Sequence, residues 1–315
     1  MLTQIFILLC SLFLVVFCAN YLVEGASVVA RKLGVSEFLI GMLIIGFGTS
    51  LPELVVSLVG AVNHNADVAV GNIVGSNIFN TSFILGLSAL IASIAVTTVN
   101  AKRDIPFLLM ATALFVLFGV SNGGVSRWES LILLAFFAMY LVYIIKTDGE
   151  TFDPSTVEHP SGLLFESFWG SIILIIGSTI GLIVGGNLFV ESSTKFGAMV
   201  GLSDKVVAVV ILAFGTSLPE LATCLAAIKK KRTQMALGDL IGSNLFNMLF
   251  VVGLSGVVHP LSFANITIVD LFAFVAVMVM LFATQHTTHQ GKITRFDGAL
   301  MITMFVAYMI MLFQV

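Results

Sequence analysis

Two glutamates, Glu53 and Glu220, stand in the same six-residue setting, Gly-Thr-Ser-Leu-Pro-Glu, each deep in an apolar stretch of a 315-residue chain. No basic residue lies in the hydrophobic core of either stretch. A lone charge at the centre of a bilayer costs ~2.5 to 3.5 kcal/mol on insertion scales, so something must compensate it. A bound cation does, and a divalent one balances two carboxylates that would otherwise repel. The proline before each glutamate, Pro52 or Pro219, has no amide hydrogen and deprives the carbonyl four residues back, Gly48 or Gly215, of its helical donor. Broken backbone at membrane depth survives where it is buried or lines a hydrated cavity, and carbonyl oxygens are hard ligands for sodium or calcium. Thr49, Ser50, Thr216 and Ser217 add oxygens one turn away. Further along, Ser76 and Asn80 lie four apart on one helix face, as do Ser243 and Asn247. The donors are all oxygen, a set that selects calcium or sodium over zinc or copper.

Small and hydroxylic residues also permit close helix packing in membranes, and Ser76 and Ser243 fit that role equally. Glu24 and Glu191 fall near helix ends, where an interfacial or packing role is expected. Asp239 is expected near a helix start, as a cap. His286 and His289 are three apart in a polar connection and read as solvated; His64, His159 and His259 also sit near connections, and none suggests a proton relay.

The elements that must hold these groups are transmembrane helices. Hydrophobic residues make up 58% of the chain and charged ones 10%, against about 25% charged in a soluble domain; mean hydropathy is +1.10. Ten apolar stretches, each near the ~20 residues that cross a bilayer, are read at 3–28, 36–62, 68–96, 104–121, 128–146, 165–192, 204–228, 235–259, 264–285 and 296–314. The first has no Lys or Arg ahead of it and is matched by an internal copy, so it is expected to be retained rather than cleaved. Cys10, Cys18 and Cys224 lack CxxC spacing, which argues against a disulfide framework or zinc site. A net charge of -3 with no basic arm gives no sign of a nucleic-acid partner.

Charge sets the orientation. With the amino terminus outside, the cytoplasmic connections hold Arg31, Lys32, Lys102, Arg103, Lys146, Lys229, Lys230, Lys231, Arg232, Lys292 and Arg295, while Arg127, Lys195 and Lys205 fall on the other side. The positive-inside rule selects that arrangement. Both termini are then extracellular or periplasmic, and the linker at 147–164 is cytoplasmic.

Adding 167 to a position in the first half finds its counterpart in the second. Asn20 and Glu24 map to Asn187 and Glu191, Gly34 and Ser36 to Gly201 and Ser203, and Phe47 to Leu54 repeats without change as Phe214 to Leu221. Gly75, Ser76, Asn77, Phe79, Asn80, Gly86, Leu87 and Ser88 recur as Gly242, Ser243, Asn244, Phe246, Asn247, Gly253, Leu254 and Ser255. Five spans per unit is an odd number, so the second unit enters the membrane in the opposite sense. The expected fold is therefore an all-α membrane protein of ten transmembrane helices in two inverted five-helix repeats, 1–146 and 165–315. Such symmetry suits a midplane site reached alternately from either side.

The duplicated GTSLPE and GSNxFN segments, within 41–90 and 208–257, resemble the two alpha repeats of the cation/calcium exchanger superfamily, and most closely its prokaryotic sodium/calcium exchanger branch. The likeness spans essentially the whole chain. It implies electrogenic exchange of sodium for calcium by alternating access, with no enzymatic activity, no cofactor beyond the transported ions, a cell-membrane (inner-membrane) location, the lipid bilayer as surroundings and no required oligomer. By motif position it implies that Glu53 and Glu220 are shared calcium and sodium ligands, that Thr49, Ser50, Thr216, Ser217, Ser76 and Ser243 supply sodium-site oxygens with the carbonyls of Gly46 and Ala213, and that Asn80 and Asn247 complete the centre. It also implies that the first and sixth helices form a pair that slides across the core. Many relatives carry an acidic residue where Asn247 stands, potassium-dependent ones among them, so the amide speaks against potassium coupling. Proton/calcium exchangers of the superfamily typically show GNATE-like segments instead of GTSLPE; proton coupling is the alternative. A passive channel would share the oxygen ligands, but pores more often use rotational assembly than inverted duplication. An intramembrane hydrolase would need a base beside a serine, and no His or Lys lies in the helical cores there.

Overall fold

The structure, a computed structural model, describes the backbone of residues 2–64, 66–148, 167–199, 213–287 and 291–314. Most of the linker, residues 200–212 at the start of the seventh stretch, Lys205, His159 and His289 lie outside the described residues. Helix α1 is Leu2–Leu33; α2, Glu37–Thr49, is wound as a π-helix at Gly41–Gly46; α3 is Leu51–Val62. Helix α4 (Ala66–Ile78) passes through a π-turn at Phe79–Ile84 into α5 (Leu85–Ile91), followed by strand β1 (Ile94–Ala95) and α6 (Ile105–Ser121). Strand β2 (Gly124–Val125) leads into α7 (Arg127–Asp148), and α8 is Phe168–Met199. Next come α9 (Ala213–Thr216), α10 (Leu218–Lys229) and α11 (Thr233–Leu245), a π-turn at Phe246–Val251 and α12 (Val252–Val258). Strand β3 (Leu261–Ser262), α13 (Ile268–Thr287), β4 (Lys292–Ile293) and α14 (Arg295–Gln314) complete the chain. From α3 to β1 the elements recur, 167 residues on, from α10 to β3.

The protein is a helical integral membrane protein. Among the described residues seven helices are long and apolar enough to cross a bilayer, and α2 with α3 makes an eighth if that bent pair counts as one span. The outward faces are apolar: Phe13, Trp169, Ile173 and Phe272 are each about 70% exposed, as lipid-facing side chains are. Of the remaining expected stretches, 204–228 falls partly outside the described residues and 264–285 holds a shorter apolar helix. The four short strands have no counterpart in the all-α expectation, because two-residue pairings leave no alternating pattern to read.

The chain forms two compact units, each drawing on both halves. The first comprises 1–52 and 147–239. Within it α1 and α8 pack closely through glycines. A Cβ on Gly181 would strike Cys18 Sγ, and one on Gly185 would lie 2.8 Å from Val15 Cγ2, so small residues set this approach. Helix α2 crosses α11 where Gly41 faces Met235 O and Gly238 faces Phe38 O. Lys230 pairs with Glu24 and Arg232 with Glu37, which ties the α10–α11 turn to α1 and α2.

The second unit comprises 53–146 and 240–315. Its short strands pair antiparallel, β1 with β4 and β2 with β3. Gly86 on α5 faces Gly298 and Met301 on α14, and Gly253 on α12 faces Ser130 and Leu134 on α7. Tyr140 donates to buried Asp104 at 2.7 Å, and Tyr308 to Asp270 at 2.8 Å, so each half ties its last two helices together by one phenol–carboxylate bond. Tyr140→Phe is expected to cost about 1.5–3 kcal/mol, the worth of a hydrogen bond to a charged group. Thermal unfolding in detergent measures it, and an unchanged melting temperature would mean the bond contributes nothing.

Candidate ion-binding residues

The proline-broken segments position both carboxylates alike. Ser50 (φ -82°, ψ 7°) and Ser217 (φ -89°, ψ 11°) leave helical geometry at equivalent places, and α2 meets α3 at a 46° bend. Glu53 and Glu220 consequently fall in the first turn of new helices, α3 and α10. A helix amino terminus carries partial positive charge, so it helps to stabilise a carboxylate there. The end of α2 closes on itself: Thr49 Oγ1 donates to Ile45 O at 3.1 Å and Gly46 O at 3.3 Å, and Ser50 N donates to Gly46 O.

In the first unit, Ser50 Oγ donates to Glu220 Oε1 at 3.1 Å. Glu220, Ser50 and Ser217 are completely buried and Thr49 nearly so. Glu220 Oε2 and Thr216 Oγ1 are buried without a hydrogen-bond partner among the described residues. Ala213 opens the short helix α9 that leads to this group.

In the second unit, Ser76 Oγ donates to Glu53 Oε1 at 3.4 Å, and Asn247 Nδ2 donates to Ser76 Oγ at 3.3 Å. Glu53, Asn80, Ser243 and Asn247 are completely buried. Asn80 and Asn247 each occupy the second position of a π-turn, a distortion frequent at functional sites. Asn247 Oδ1 and both amide atoms of Asn80 have no hydrogen-bond partner among the described residues.

A buried polar atom without a partner costs about 1–3 kcal/mol. Here the unpartnered oxygens come from a carboxylate, a hydroxyl and two amides, hard donors suited to calcium or sodium. No cluster of three or more His, Cys, Asp or Glu side chains that could hold a metal occurs among the described residues; apart from the two glutamates, the candidate ligands are neutral oxygens.

The structure corrects the expectation for Asp239 and adds two residues, Asn72 and Asn77, for which the sequence suggested no role. Asp239 does not cap a helix: it lies well inside α11, buried, and accepts from Thr223 Oγ1 at 2.7 Å. Its counterpart Asn72 donates to Ser57 Oγ at 3.3 Å and to the Glu53 carbonyl at 3.4 Å. Asn77 is completely buried with neither amide atom partnered among the described residues. The GSNxFN repeat marked Asn77, and the exchange of Asn72 for Asp239 in the repeat register marked that pair. Glu24 and Glu191 form ion pairs, with Lys230 and Lys195 respectively.

Residues 3–146 and 170–314 match the sequence profile of the sodium/calcium exchanger protein family. The inner membrane protein YrbG of Escherichia coli is 31% identical over 98% of this chain and 96% of its own length. The sodium/calcium exchanger MaX1 of Methanosarcina acetivorans is 29% identical over 98% of both chains. Among solved structures, that of the sodium-calcium exchanger NCX_Mj superposes with a TM-score of 0.84 at 30% identity, covering 98% of this chain and 97% of that one.

Proposed function

Because this chain belongs to the sodium/calcium exchanger protein family, we propose that it is a secondary active antiporter of the cell membrane that exchanges sodium for calcium by alternating access. The observation that carries this reading is the duplicated set of buried oxygens, with one carboxylate in each copy and oxygens left without hydrogen-bond partners in each unit. Glu53 and Glu220 together balance the two charges of a calcium ion, and Thr49, Ser50, Thr216, Ser217, Ser76, Ser243, Asn80 and Asn247, with the carbonyls of Gly46 and Ala213, complete the calcium and sodium ligands. Sodium replaces calcium on the same oxygens, and because several sodium ions leave for one calcium, net charge moves.

Two inverted five-helix repeats, ten spans in all, provide the two access states. In support, the elements from α3 to β1 recur in the same order from α10 to β3, and the strand pairings β1–β4 and β2–β3 exchange with one another when the halves are exchanged. The distribution of basic residues supports outside termini and a cytoplasmic linker.

Sealed proteoliposomes test the function. Calcium uptake should require an outward sodium gradient and respond to membrane potential. Uptake driven by a pH gradient with sodium absent would replace sodium by protons, and uptake indifferent to both gradients would mean a channel. Asn247→Asp is expected to alter ion selectivity or coupling without unfolding the protein, because it adds a charge where an amide oxygen now lacks a partner. An unchanged selectivity profile would remove Asn247 from the ligand set.

A further inference from the structure

Two imidazoles meet at the surface of the second unit, and neither belongs to the candidate ligand set for calcium. His64 lies two residues beyond α3 and His259 caps the end of α12, and their ring centroids lie 4.6 Å apart at an interplanar angle of 75°. Both backbones are fixed by the helices they follow. His64 takes the left-handed conformation (φ 56°) with its N–H on Ala61 O, and His259 is extended with its N–H on Ser255 O. The carbonyl of Val258, next to His259, is further held by Arg127 Nη2 at 3.4 Å. His259 Nδ1 is 2.9 Å from Pro260 O. A carbonyl oxygen can only accept, so Nδ1 carries the hydrogen and Nε2 of the neutral ring keeps its lone pair. Fixing one ring nitrogen by a hydrogen bond in this way is how proteins set the tautomer of a metal-binding histidine.

We propose that His64 and His259 form a surface binding site for a divalent transition metal ion of the zinc class. Imidazole nitrogens bind such ions at ~2.0–2.1 Å, which requires the two donor nitrogens to approach within about 3–3.5 Å. Rings this close reach that separation by side-chain rotation alone, and the exposure of His64 leaves room for water to fill the remaining positions. The ligand type separates this site from the transported ions: nitrogen donors favour zinc, nickel and copper, whereas calcium and sodium take oxygen. The site belongs to one end of the molecule only. In the repeat register His64 corresponds to Lys231, which shares its left-handed backbone (φ 59°), and His259 to Ala92. In the sequence both histidines merely stand near connections; only folding brings together rings 195 positions apart in the chain. In the orientation proposed above both face the outside of the cell, but metal binding does not depend on that orientation or on exchange activity.

Equilibrium dialysis of tag-free, full-length protein against radioactive zinc, in detergent and saturating calcium, tests the site. One saturable zinc ion per chain is expected in the parent protein. His64→Ala and His259→Ala should each weaken binding at least tenfold, the lower end of what losing even an outer partner of a metal ligand costs, while each variant elutes as the parent does in size-exclusion chromatography. The proposal is overturned if the parent binds no zinc saturably, if neither variant differs from it, or if binding disappears only on replacing His286 and His289.

Discussion

Glu220→Gln and Glu53→Gln are each expected to abolish calcium exchange while the protein still inserts and folds. The amide keeps the volume of the carboxylate and removes its charge. In the parent, a calcium ion with two glutamates is neutral; with one glutamine it leaves a net positive charge in a buried site. An uncompensated charge at membrane depth costs ~2.5 to 3.5 kcal/mol, which corresponds to about a hundredfold weaker calcium binding. Glu220 has the further loss of the acceptor for Ser50 Oγ, which an amide oxygen replaces only in part because bonds to charged groups are the stronger ones. Ser50→Ala should therefore weaken binding far less than Glu220→Gln. Calcium flux into vesicles, normalised to folded protein, measures these effects. Near-normal flux in either glutamine variant would remove that glutamate from the ligand set.

Replacement of Gly238 by alanine is expected to have the largest effect on folding. Helix α11 crosses α2 so closely that a Cβ at Gly238 would collide with the Phe38 carbonyl, and one at Gly41 with the Met235 carbonyl. Backbone cannot rotate away as a flexible side chain can, so the helices must separate along their contact. Overpacking typically costs about 1–3 kcal/mol, and a steric conflict with main chain belongs at the upper end. Gly177 on α8 has no neighbour within 4 Å of the corresponding position, so Gly177→Ala serves as the control; it should be neutral, or stabilising by up to ~1 kcal/mol from helix propensity. Melting curves in the same detergent compare the two. Equal melting temperatures for Gly238→Ala and the parent would mean that this crossing is not tightly packed.

Much of this architecture is legible in the sequence because membranes restrict the choices. Apolar stretches of sufficient length must become helices, and the 167-residue register predicts that whatever α3 and α4 do, α10 and α11 repeat. The helix breaks at Ser50 and Ser217 follow directly from the prolines that come two residues later. Proximity is less legible than equivalence. The register pairs Ser50 with Ser217 and Glu53 with Glu220, yet Ser50 donates to Glu220, and no periodicity in the chain foretells a contact between the two halves. Asp239 reads as a cap in the sequence because the polar run from Lys229 to Gln234 conceals where α11 begins; the helix starts at Thr233 and leaves Asp239 in its buried interior. The π-turns at Phe79 and Phe246 also carry no sequence period of their own. They become visible only when the backbone is built, and they then set Asn80 and Asn247 among the buried residues of the second unit.

The claim on which the rest depends is that one glutamate from each repeat is needed to hold a single calcium ion that sodium displaces. Its most direct measurement is equilibrium calcium binding to the purified protein in sodium-free buffer, repeated with rising sodium and with Glu53→Gln and Glu220→Gln combined. One calcium per chain, released by sodium and lost in the doubly substituted protein, is the predicted result; calcium bound undiminished by that double substitution would contradict it.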